Sequence, residues 1–237
     1  MGTTDFAVFV IDDDPSVLKA LTRLLQTAGY KTKTFSSSEA FLDEHDPSVP
    51  GCAVLDLTMP GLDGLELQQK LANKATRRPI VFLTGHGSVP VSVRAMKAGA
   101  VDFLLKPVKR VDLLEAVGRA AALDKVARRA DEERRSVYAV LEKLTARERE
   151  VLTHVIAGRL NKQIAADLGT VEKTIKVHRS RMMAKMGVRT VAALVRLTQK
   201  VSLEPYRTAN LFGPKANSTD HVNRAQISAH ADSDRGR

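Results

Sequence analysis

The chain has 237 residues, 43% of them hydrophobic and 27% charged, with 37 Lys and Arg against 27 Asp and Glu for a net charge of +10. That length and apolar content suit two modest cores, and with neither a run of about 18 apolar residues nor a basic leader, a membrane span and a signal peptide are not expected. Cys52 is the one cysteine, so an intrachain disulfide is excluded, and the composition points to a cytoplasmic protein.

The first apolar run, Val8-Phe9-Val10-Ile11, ends in Asp12-Asp13-Asp14-Pro15. Short β-branched runs bounded by turn residues read as interior strands of a parallel sheet. Asp14 before Pro15 is placed to cap the following helix. A second strand, Cys52-Ala53-Val54-Leu55, closes in Asp56. A third, Pro79 to Leu83, ends in Thr84 and a Gly-flanked loop with His86, read as a rim residue. A fourth, Val101 to Leu105, ends in Lys106-Pro107.

Parallel strands present their carboxyl ends at one edge, where open α/β sheets bind ligands. Carboxylates brought together there repel unless a cation sits among them, and a hard divalent ion such as Mg²⁺ suits oxygen ligands. A carboxylate nucleophile, neighbouring carboxylates for a metal, a hydroxyl and a lysine together suit phosphoryl transfer to aspartate. Taken singly, each residue has a plainer role. Thr84 would satisfy a loop amide, Lys106 would be solvated, and Phe103 would be a core aromatic.

The Asp12-Asp13 pair, Asp56 with Met59-Pro60 and Asp63-Gly64, Thr84, and Phe103 three places before Lys106-Pro107 together resemble the receiver domain of two-component response regulators. The likeness covers residues 4–123, with the domain drawn as 1–122. The segments Thr84 to Pro90 and Ala95 to Phe103 resemble the nitrogen-fixation regulator (FixJ-like) branch in particular. The resemblance implies a flavodoxin-like, doubly wound, five-stranded parallel α/β sheet. It further implies that Asp56 is phosphorylated by a histidine kinase and that Asp13 and Asp56 bind Mg²⁺ directly, with Asp12 doing so through water. Thr84 and Lys106 would assist, and Thr84 and Phe103 would act as the switch pair.

Residues 1–122 carry fourteen Lys and Arg against fourteen Asp and Glu, so residues 123–237 hold 37 − 14 = 23 against 27 − 14 = 13. The whole positive excess lies in the second half, which suggests a polyanionic partner such as double-stranded DNA. Residues 123–141 have no Gly or Pro and many helix formers, and read as a helical linker continuing the last receiver helix.

Thr145 followed by Glu148 signals a capping box, with Val151, Leu152, Val155 and Ile156 as the apolar stripe. A short helix at Asn161–Leu168 and another at Val171–Met186, joined by a tight turn, form a helix-turn-helix pattern. In the latter, Ile175, Met182 and Met186 fall on the core side. Lys173, Lys176, Val177 and Ser180 fall opposite, with Arg181 beside them, as a helix entering the major groove requires.

Leu144 to Leu152, Asn161 to Ala165, Lys173 to Arg179 and Lys185 to Val188 resemble the LuxR/NarL type of DNA-binding domain, drawn as residues 142–204. The resemblance extends the DNA-contacting set to Lys162, Thr174 and Arg179, and implies homodimerisation on phosphorylation and contact with RNA polymerase. Val171 stands where that family usually has Ser or Thr, so the helix cap is expected to pass to Thr170. His178 is expected to be half-buried structure. The tail, residues 205–237, is polar and is expected to be disordered from about Thr208.

Overall fold

The computed structural model describes residues 6–73, 78–85, 88–201 and 203. His86 and the polar tail lie outside the described residues. The chain divides into two units between Ser136 and Val137.

In the first unit, five parallel strands stand in the order β2-β1-β3-β4-β5. They are β1 (Ala7–Ile11), β2 (Lys31–Phe35), β3 (Gly51–Asp56), β4 (Ile80–Thr84) and β5 (Asp102–Leu105). Helices α1 (Pro15–Thr27), α2 (Ser38–Glu44), α3 (Gly64–Asn73) and α4 (Val89–Lys97) alternate with them, and α5 begins at Arg110.

All six residues of β3 and all five of β4 are buried, because helices cover both faces of the sheet. Alternate side chains feed two separate cores. Phe9, Ile11, Ala53, Leu55, Ile80 and Phe82 enter one, and Val8, Val10, Cys52, Val54, Val81 and Leu83 enter the other.

Strand β2, Lys-Thr-Lys-Thr-Phe, buries only Phe35. It lies at the edge of the sheet beside β1, where lysines discourage pairing with another chain. The expected cap of α1 is present: Asp14 Oδ1 accepts from the Ser16 amide at 2.8 Å, with Pro15 in the first turn.

The stretch read as a linker is part of a single 33-residue helix, α5 (Arg110–Glu142). Leu113, Ala116, Val117 and Ala120 fill a core of the first unit. Arg128, inside the expected linker, is bound to the first unit. Its guanidinium meets Asp124 at 2.8 Å and donates to the carbonyl oxygens of Pro47, Ser48 and Val49 at 3.0, 2.8 and 2.7 Å. Val137 and Leu141, further along α5, belong to the core of the second unit.

The second unit adds α6 (Ala146–Ile156), α7 (Asn161–Asp167), α8 (Glu172–Lys185) and α9 (Val191–Gln199). The capping box is present: the Glu148 amide donates to Thr145 Oγ1 at 3.3 Å and the Thr145 amide to Glu148 Oε2 at 2.9 Å. Glu148 Oε2 also meets Lys185 Nζ at 2.6 Å, tying α6 to α8. Burial alone would raise the Glu148 carboxyl, but Lys185 and Thr145 outweigh it and hold the group below its ordinary range. Ile175, Met182 and Met186 are buried as the periodicity requires. The expected transfer of the α8 cap to Thr170 does not occur. Val171 is the N-cap, with no side-chain cap bond, since its aliphatic side chain offers no acceptor.

Candidate functional site: an acidic cluster and a recognition helix

The ends of β1, β3, β4 and β5 bring Asp12, Asp56, Thr84 and Lys106 to one edge of the sheet. Register places Asp56 beside Leu83, and Thr84 beside Leu105, the residue before Lys106. The Lys106 amide donates to the Thr84 carbonyl at 2.8 Å, pinning the two strand ends together. The Lys106–Pro107 peptide is cis.

Asp12, Asp13 and Asp56 each offer a carboxylate oxygen within 4.8 Å of the others. Asp12 and Asp56 are 1% and 7% exposed, while Asp13 is exposed. Lys106 Nζ lies 2.5 Å from Asp12 Oδ2 and 3.2 Å from Asp56 Oδ2. The Asp14 amide gives Asp12 Oδ1 a further donor at 3.1 Å.

The electrostatics are unbalanced: three carboxylates face one ammonium. Burial pushes the Asp12 carboxyl up, and its bonds to Lys106 and the Asp14 amide only partly counter that. For Lys106 the balance runs the other way. Burial would lower it, but the bond to Asp12 and the charges of Asp12 and Asp56 raise it, so the ammonium stays charged. Both partners therefore move upward, where a simple ion pair would lower the acid. The burial of Asp12, together with the charge of Asp56, accounts for the difference.

Asp56 Oδ1 is buried and has no hydrogen-bond partner among the described residues. Behind it, Gly64 is required by close approach, since a Cβ there would sit 2.5 Å from the Asp56 carbonyl oxygen and 3.0 Å from Phe82. The Gly64 amide donates to the Leu57 carbonyl at 3.0 Å. Leu57 and Met59 anchor the same loop in the core.

Thr84 is fully buried. Phe103 is half-buried and lies against Phe82, with ring centroids 6.2 Å apart.

On α8, Lys173, Lys176, Val177, Ser180 and Arg181 are exposed, and Thr174 and His178 are half-buried. Lys162 is exposed in α7. Lys176 pairs with Glu172 at 3.1 Å, both of them solvated. Arg179 differs from its neighbours: its guanidinium donates to Asn161 Oδ1 at 2.9 Å, joining α8 to α7.

Sequence reasoning missed several polar contacts. Arg78 is 5% exposed. It bonds His45 Nε2 at 3.0 Å and the Val49 and Asp46 carbonyls at 2.9 Å each, stacked over Phe9. Arg119 pairs with Asp102. Such contacts join residues distant in the chain, and no local pattern marks them.

Two family models match the chain: the response regulator receiver domain over residues 8–118, and the luxR family of bacterial regulatory proteins over residues 142–198. The chain belongs to the response regulators of two-component systems, with a receiver and a LuxR-type DNA-binding domain, and its role is transcription regulation. Within them it is FixJ-like. It is 42% identical to the transcriptional regulatory protein FixJ of Rhizobium meliloti over 195 residues, 82% of this chain and 95% of that one.

Nodulation protein W of Bradyrhizobium diazoefficiens is 40% identical over 207 residues, 87% of this chain and 91% of that one. Among solved structures, response regulator StyR is 45% identical with a TM-score of 0.73, covering 83% of this chain and 99% of that one. Full-length FixJ from B. japonicum is 38% identical with a TM-score of 0.51, covering 84% and 98%. No described helix is long and apolar enough to cross a membrane.

Proposed function

We propose that Asp56 is the phosphoacceptor, and that its phosphorylation by a histidine kinase promotes dimerisation and sequence-specific binding to double-stranded DNA. One observation carries the assignment: Asp56 is the buried carboxylate that lies within reach of both Lys106 and the Asp12–Asp13 pair, with one oxygen left without a partner.

The donor set fits Mg²⁺. Three carboxylates within 4.8 Å of one another, facing one lysine, leave an excess of negative charge, and hard oxygen donors are what that ion takes. Asp13 and Asp56 would hold it directly and Asp12 through water. When bound, the ion supplies charge neutralisation for the phosphoryl oxygens.

In the transfer, an Asp56 carboxylate oxygen forms the new bond to phosphorus while the bond from phosphorus to the kinase imidazole nitrogen breaks. Lys106 stabilises charge on the transferred oxygens, and the Thr84 hydroxyl donates to one of them. The acyl phosphate adds negative charge and acceptor oxygens at the sheet edge, which draws Thr84 and Lys106 toward it. Phe103, already against Phe82, follows into the space that Thr84 leaves.

An apolar surface is available to read this out. Val89, Val93 and Met96 of α4 and Leu105 of β5 are 76%, 44%, 44% and 58% exposed. Burying such side chains between two receivers supports homodimerisation on phosphorylation. Two tethered output domains then gain DNA affinity through effective concentration.

On the DNA side, Lys173, Thr174, Lys176, Val177, Ser180 and Arg181 of α8 form the major-groove set, with Lys162 on the phosphate backbone. Arg179 orients α8 through Asn161, and RNA polymerase is the further partner. Incubating the chain with acetyl phosphate and Mg²⁺ tests the centre of the proposal. Asp56→Asn is expected to lose hydroxylamine-labile phosphate incorporation, and normal labelling of the variant would refute the assignment.

A further inference from the structure

We propose that the receiver carries a second binding site, at the edge of the sheet opposite Asp56, for a small uncharged molecule that is mainly apolar and has one hydrogen-bond donor. A cavity of about 320 Å³ lies there between the ends of α3 and α4, beneath α5 where that helix continues past the sheet. Its wall includes Leu71, Ile80, Val101 and Ala127, together with Gln68 and Arg78. Ile80 and Val101 stand at the amino ends of β4 and β5, so the site is separate from the acidic cluster at the carboxyl ends.

Gln68 indicates what the occupant must offer. The residue is 4% exposed, and its Nε2 donates to the Ala95 carbonyl of α4 at 3.3 Å. Its Oε1 is buried with no partner among the described residues. Buried amide oxygens are almost always paired, so this acceptor calls for a donor from something in the cavity. Water alone is a poor tenant, because a largely apolar wall offers it too few partners. The volume falls at the lower end of small-molecule sites, enough for a fused bicyclic ring.

Charge favours a neutral occupant. The guanidinium of Arg78 is committed to His45, Asp46 and Val49, and Arg128 stands nearby against a single buried carboxylate, Asp124. The charges of Asp124 and Asp46 face these two guanidiniums, so no net charge is left for an ionic ligand to neutralise.

Indole and 1-benzofuran serve as probes, since they share a shape and differ in the N–H. Titrated into the full ¹⁵N-labelled chain, indole is expected to give saturable shifts at Gln68, Ala98–Val101 and Leu123–Ala127. Benzofuran is expected to bind about five-fold more weakly, the worth of one hydrogen bond. Gln68→Leu should erase that difference, and Ala127→Trp should fill the cavity and abolish binding while phosphorylation of Asp56 is retained. Absence of saturable shifts with the unsubstituted chain, equal binding of the two probes, or binding undiminished in Ala127→Trp would each overturn the proposal.

Discussion

Replacing Lys106 with methionine isolates the electrostatic core of the acidic cluster. At 2.5 and 3.2 Å from Asp12 and Asp56, an effective dielectric of about 20 gives gross attractions of roughly 7 and 5 kcal/mol. Most of that is cancelled by the cost of desolvating the ammonium. Breaking a fully buried pair costs about 3–5 kcal/mol. The Lys106 side chain keeps 21% of its exposure, so solvent screens part of the interaction. We therefore expect a loss of roughly 2 kcal/mol in EDTA at neutral pH. Urea unfolding of the full chain, followed through the receiver transition, measures it. Mg²⁺ at a hundred times its Kd should return about 2.7 kcal/mol, and should bind the variant more tightly because the competing ammonium is gone. A variant as stable as the parent in EDTA, or no response to Mg²⁺ in either protein, would refute the reasoning.

Three other outcomes are expected. Lys176→Ala should weaken binding to a specific operator by roughly 1–3 kcal/mol with little change on random DNA; equal weakening on both, in gel-shift titrations, would make Lys176 a phosphate contact. The Cys52 thiol is pushed up to about 12 by burial, so Ellman's reagent at pH 8 should react only after denaturation, and rapid labelling of the folded chain would contradict its position in β3. Burial lowers the imidazole of His154, with Asp167 and Glu150 opposing and Arg159 and Arg147 reinforcing. The unfolded state then binds more protons between the folded value and about 6.5, so the second unit should lose stability as pH falls through that window. His154→Gln should flatten the thermal-midpoint profile there, and an unchanged slope would count against the argument.

Elements whose signal lies in consecutive residues were legible before any coordinates. Four strands, the Asp14 cap, the Thr145–Glu148 box and the alternation on α8 all follow from local spacing, and the structure has each of them. The convergence of Asp12, Asp13, Asp56 and Lys106 was legible for a different reason, because parallel strands leave their carboxyl ends no choice of side. Strand β2 was visible only through the family resemblance. Its lysines and threonines carry no apolar run, since an edge strand buries little.

The Arg78 and Arg128 contacts could not be read from the sequence. A buried arginine is set by carbonyls that tertiary structure delivers, here from residues 46–49. Arg179 shows the same limit on the output side. Its place on α8 matched the contacting set, yet its partner, Asn161, is 18 residues away.

The sharing of α5 between two cores sets a rule for dissecting this regulator. Val137 is 2% and Leu141 6% exposed because they plug the hydrophobic interior around Val151, Ile164 and Leu194. A fragment cut at the family boundary near residue 142 would leave that interior unstoppered and prone to clumping. Chimeras that swap output domains between relatives should therefore be spliced ahead of Val137, so that each head keeps its own plug.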